Sequence, residues 1–150
     1  MKKVYQTIVE KGRGNCQQAV IASLFELDLE EVPHFIEYQE AWYDKMEEFV
    51  KSKGYPNLRC FQVVNSMDLN FKVLEQDGGI NGYWSAAVKS QTFENTLHAV
   101  VIDKNMNVVH DPNPNQRALK LKPEDIVWID LVGEGAWDID SKGGILDENL

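Results

Sequence analysis

Three side chains in this sequence have the chemistry for acyl transfer between them: the thiol of Cys16, the imidazole of His98 and the carboxyl of Asp111. Cys16 stands in "GNCQQAVIASLF", between a polar turn and a run of small and apolar residues that reads as a buried helix. The first turn of a helix offers unpaired N–H groups and the positive end of the helix dipole, and both favour a thiolate over a thiol. Free cysteine is also among the most buried residue types, so position alone reads first as apolar filler. A thiolate nucleophile needs a base, and the base needs a group to orient it.

The segment "LHAVVIDKNMNVVHDPNPN" supplies both. With Lys104 and Asn105 as a two-residue turn, Asp103 faces Met106, Val101 faces Val108 and His98 faces Asp111. Directly opposed residues share a face, with Cβ atoms about 5 Å apart. A carboxylate there would accept the imidazole Nδ1–H and leave Nε2 to serve a thiol. A four-residue loop would set Asn113 opposite His98 instead, and a three-residue loop would put His98 and Asp111 out of phase. Asp111 is the favoured partner and Asn113 the reserve. An isolated histidine at a strand start would read as structural. A helix-start cysteine followed by a strand-start histidine and then an acid forms the arrangement used for acyl transfer.

The elements that must position these residues follow a simple order. The first half reads as helices: one from Asn15 as N-cap through "CQQAVIASLFEL", a short one in "DLEEVPHFIE" capped by Asp28 and interrupted near Pro33, and a third in "YQEAWYDKMEEFVKSKG" ending at Gly54. The second half reads as strands in "RCFQVV", "FKVLEQ", "GYWSAAVK", "LHAVVID", "NVVHD" and "IVWIDLV", separated by turns such as "DGG" and "DPNPN". Helices first and strands later predict an α+β domain over 1–132, with an antiparallel sheet packed on a central helix. The acidic, Gly-rich residues 133–150 read as a loosely held tail.

Composition narrows the function. With 15 Lys+Arg against 24 Asp+Glu and a net charge of −9, the chain lacks the basic stripe that a nucleic acid or an anionic membrane would require. No apolar run approaches a membrane span of roughly 20 residues, and "MKKVYQTIVEKG" is not followed by the apolar core of a signal peptide, so a cytoplasmic protein is expected. Two cysteines in such a compartment read as free thiols.

"YQTIVEKGRGNCQQAVIASLFELDLEEVPHF", followed later by "HAVVIDKNMNVVHDPNP", resembles the papain-like cysteine peptidase fold. Within that fold it is similar to the small bacterial and phage proteins related to double-glycine leader peptidase domains. The resemblance covers roughly residues 4–35 and 83–119. It implies Cys16 as nucleophile, His98 as general base and acid, and Asp111 as the orienting acid. It also implies an upstream glutamine that helps to bind the oxyanion, for which Gln6 is the match and Gln17 the alternative. The chain departs from leader peptidases in carrying "NCQ" where they often have aspartate, cysteine and glycine.

The remaining candidates read as structural. Cys60 falls within a strand without a histidine or acid nearby in sequence and is expected in or near the core. His110 should face away from Asp111, His34 follows "VP" at a loop or helix start, and Trp84 with Tyr83 reads as core rather than groove. Cys16, His98 and Asp111 have ligand chemistry, but the chain lacks closely spaced ligand pairs, so neither metal nor other cofactor is expected. The expected function is hydrolysis of a peptide or other amide bond; the alternative is an inactive module of the same fold that binds a peptide or protein. Oligomeric state is not legible in the sequence.

Overall fold

The computed structural model describes residues 1–134, together with the backbone of 137–139 and 145–147. It is a mixed α+β structure. The first helix, α1, spans Cys16–Phe25, and Ala19, Val20, Ile21, Ala22, Ser23 and Leu24 are all buried. Its small residues let the N-terminal segment approach closely. The Ser23 hydroxyl donates to Ala19 O at 2.8 Å and accepts the Val4 N–H at 3.0 Å.

Asn15 precedes α1, but its side chain does not cap the helix as its type suggested. Its Oδ1 instead accepts the N–H groups of Thr7 and Ile8 at 2.9 and 2.8 Å. Asn15 thereby fastens the stretch after Gln6 to the start of α1.

The short helix after Asp28 is a single 3-10 turn, Leu29–Glu31, and a second 3-10 segment, Phe35–Ala41, follows Pro33. The third predicted helix starts later than its sequence pattern, as α2 over Trp42–Ser52, because Gln39 sits at φ 54 and breaks the run. Met46 and Val50, one turn apart, are the buried residues of α2.

Five strands form one antiparallel sheet in the order β1-β5-β2-β3-β4. They are β1 (Arg59–Gln62), β2 (Trp84–Lys89), β3 (Leu97–Ile102), β4 (Val108–His110) and β5 (Ile126–Leu131). The segment "FKVLEQ", read from composition as a strand, lies instead in helix α3, Met67–Asp77. Ser66 caps it by accepting the Leu69 N–H, and Gly78 ends it at φ 78. The buried Asn70, Val73 and Leu74 lie on one helical face.

That helix explains why the strands are apolar on both faces. Ala99 and Val101 of β3 pack toward α1, with Val4, Leu58 and Ile80. Val100 and Ile102 pack toward Val73 and Leu74 of α3, with Val88, Ile129 and Leu131. Trp84 belongs to the second core and donates its indole N–H to Asp77 at 2.8 Å.

Within the stretch expected to be a loose tail, β6 (Trp137–Ile139) and β7 (Ile145–Asp147) pair as an antiparallel ribbon. The rest of that stretch beyond Glu134 lies outside the described residues. Among the described residues no helix is long and apolar enough to cross a membrane.

Candidate active site

The hairpin carrying His98 and Asp111 does not use the two-residue turn. Asp103 N–H bonds to Asn107 O, Met106 N–H bonds back to Asp103 O, and Met106 sits at φ 60, so Lys104, Asn105 and Met106 form a three-residue loop. Taken alone, that loop would put His98 and Asp111 on opposite faces. A second irregularity corrects the phase: Ile102 pairs with Val108 but Val101 pairs with His110, leaving Val109 as an extra residue. Two shifts of one residue restore the original parity. Carried past His110, the register sets Asp111 beside Val100, two residues from His98 on the same face.

His98 Nε2 donates to Asp111 Oδ1 at 2.7 Å. This is the opposite ring nitrogen from the one expected for a directly opposed pair. Diagonal neighbours across a sheet are about 7–8 Å apart at Cα, so only the far nitrogen of the ring makes the reach. Nδ1, nearer the backbone, is not used by Asp111, and Cys16 lies near enough to raise the imidazole's pKa.

Asp111 is almost fully buried and held on several sides. Oδ1 also accepts the Asn113 N–H at 2.9 Å, and Oδ2 accepts the Ala118 N–H at 2.9 Å. Burial alone would raise its pKa, but the bonds from His98, Ala118 and Asn113 outweigh it and hold the carboxyl below its ordinary value. For His98, burial would lower the pKa, whereas the bond to Asp111, the proximity of Cys16 and the charges on both raise it from 6.5 to about 9. The imidazole is therefore an imidazolium at neutral pH, between two groups able to carry negative charge.

Asn113, the reserve orienting residue, does not bond the imidazole. Its Oδ1 accepts the Asn115 N–H at 3.1 Å, and its contribution to the site is the backbone bond to Asp111. Gln6 is buried against the same cavity as Cys16 and His98, despite its distance in sequence. Its backbone N–H bonds to Pro112 O at 2.9 Å, tying it to the loop that carries Asp111. Its Nε2 donates one hydrogen to Ile8 O at 2.8 Å and keeps the other. Gln17 follows Cys16 on the same cavity wall, where its backbone N–H lies in the unpaired first turn of α1.

The cavity in front of Cys16 has a volume of about 530 Å³ and runs along the sheet to Asp130. Cys60 borders it. The expectation of a core cysteine fails here, because Cys60 shares the face of Asp130, opposite it in the β1–β5 register, while Phe61 takes the core side. The residue is exposed at the cavity rim, yet burial on its inner side and then the charge on Asp130 push its thiol up to about 11. Both thiols are free.

His110 is buried facing away from Asp111's partner, with Nε2 donating to Val4 O at 2.6 Å, and is structural. His34 Nε2 lies 3.2 Å from Arg13 O, outside the site. Among the described residues no group of three or more histidine, cysteine or acidic side chains has an arrangement that holds a metal ion. Sequence reasoning missed Asp130 and Tyr43, which also line the cavity. The legible signal was an acid inside the apolar strand "IVWIDLV".

Compared with family models, curated proteins and solved structures, the chain gives no match.

Proposed function

We propose that this protein is a papain-like cysteine hydrolase that cleaves a peptide or other amide bond through Cys16, His98 and Asp111, in a reducing setting such as the cytoplasm. The observation that carries this reading is the arrangement itself: Asp111, anchored by two backbone N–H groups, holds His98 by Nε2 at 2.7 Å, and Cys16, at the first turn of α1 on the same cavity, lies near enough to raise the pKa of His98. A merely structural cysteine needs neither an imidazolium nor a cavity in front of it.

In this mechanism the Cys16 thiolate adds to the substrate carbonyl carbon, forming a C–S bond while the C=O π pair moves to oxygen. The backbone N–H groups at the start of α1 and the free Nε2–H of Gln6 are the donors for that oxyanion. The His98 imidazolium gives its Nδ1 proton to the departing amine nitrogen as the C–N bond breaks. Water then adds to the thioester, His98 takes one of its protons, and the C–S bond breaks to release the acid and restore the thiolate and imidazolium. Asp111 fixes the tautomer throughout and stays ionised.

The test is intact-mass analysis after mixing with activated peptide esters and acyl electrophiles. Expected is a single covalent adduct mapped to Cys16, absent in Cys16→Ala and slowed in His98→Ala. A folded protein that gives no adduct with any acyl probe would contradict the reading.

A further inference from the structure

The far end of the cavity is built differently from the end at Cys16. Asp130 lines it from β5, beside Ser85 of β2. Tyr43 lines it from α2, and its hydroxyl is buried with no hydrogen-bond partner. The buried Gln17 side-chain oxygen on the same cavity is also without a partner. Trp42 and Trp128 supply aromatic wall.

These polar atoms share one property. The carboxylate and the amide oxygen only accept hydrogen bonds, and the phenol can accept one. What would satisfy them together is a group with several N–H donors and a positive charge, and the indole faces favour the same charge. Asp130's carboxyl is pushed by burial up to about 6 and is still ionised at neutral pH. The net charge of −9 gives the whole chain a field that draws in cationic ligands.

We propose that this end of the cavity is a specificity pocket for the basic side chain of a peptide substrate, an arginine or lysine, with Asp130 as its counter-ion and Tyr43 as a second acceptor. The inference rests on the hydrolase reading for its word substrate, but the pocket itself binds without catalysis. It commits the site to basic peptides rather than to the glycine pairs that a leader peptidase would take.

The test is equilibrium binding of fluorescent N-acyl amides of arginine, lysine, norleucine and glutamate to the Cys16→Ser protein, repeated with Asp130→Asn and with Tyr43→Phe. Arginine and lysine should bind about tenfold or more tighter than norleucine, and Asp130→Asn should remove that preference. Tyr43→Phe, which deletes one hydroxyl, should weaken the basic ligands alone by a few-fold. Equal binding of norleucine and arginine to the Asp130 protein overturns the proposal without any variant, as does a preference that survives Asp130→Asn. Agmatine should compete with the arginine amide, since it carries the same guanidinium; failure to compete also counts against the pocket. A basic preference in a protein whose Cys16 forms no acyl adduct leaves the pocket standing and removes the hydrolase reading, so the two fail separately.

Discussion

His98 and Asp111 meet through the far ring nitrogen, Nε2 to Oδ1 at 2.7 Å, because two one-residue irregularities in their hairpin make them diagonal rather than direct neighbours. The consequence is that Asp111 is not interchangeable with its amide. Its two oxygens accept the Asn113 and Ala118 N–H groups as well as the imidazole, and an amide nitrogen in either position would set donor against donor.

Asp111→Asn should therefore damage both chemistry and fold. Acylation of Cys16 should slow by about 10²–10⁴, from loss of the imidazolium's partner and of the correct tautomer. Stability should drop by about 1–3 kcal/mol for the backbone donor left facing a donor, read from urea unfolding. An Asp111→Asn protein as fast and as stable as the parent would refute the assignment. Asn113→Ala should be much milder in acylation, because Asn113 touches the imidazole's partner through its backbone.

The pH dependence follows from the two shifts. His98 titrates above its ordinary 6.5, at about 9, so the stability it contributes is complete below 6.5 and lost as pH rises through about 9. Asp111 titrates below its ordinary 3.8, so its contribution is present above 3.8 and lost as pH falls further. The thermal-stability advantage of the parent over His98→Ala should be flat between pH 3.8 and 6.5 and shrink from there through about 9. A gap in melting temperature that stays constant from below pH 6.5 to above pH 9 would show that no charged pair exists.

Much of this architecture is legible in the residues. The near-continuous apolar run after Cys16 specifies a helix buried on all sides, and the β-branched strands specify the sheet. What misleads is local. "FKVLEQ" has strand composition, but Ser66 and Gly78 are helix boundaries, and the sheet needed cover on its second face. Asn15 is a good capping type whose oxygen is taken by Thr7 and Ile8. Turn length was the least legible feature, since Met106 adopts a left-handed conformation usually left to glycine or asparagine. The face shared by His98 and Asp111 was predicted through a register that does not occur, and it survives because a compensating bulge follows. Cys60 was read by strand membership, which says nothing about which face a residue takes.

The nucleophile assignment is tested most directly by the alkylation of the two free cysteines with iodoacetamide at about pH 6, followed by mass spectrometry in the parent and in His98→Ala. Both thiols border the cavity and Cys60 is the more exposed, so access alone would favour Cys60; but Cys60 is held in its thiol form, titrating only at about 11, whereas Cys16 lies beside an imidazolium. Cys16 should react first, well ahead of Cys60 and of the same cysteine in urea-unfolded protein, and His98→Ala should slow it about tenfold or more. A Cys16 that reacts no faster than an unfolded cysteine, or that reacts equally fast without His98, would contradict its role as the nucleophile.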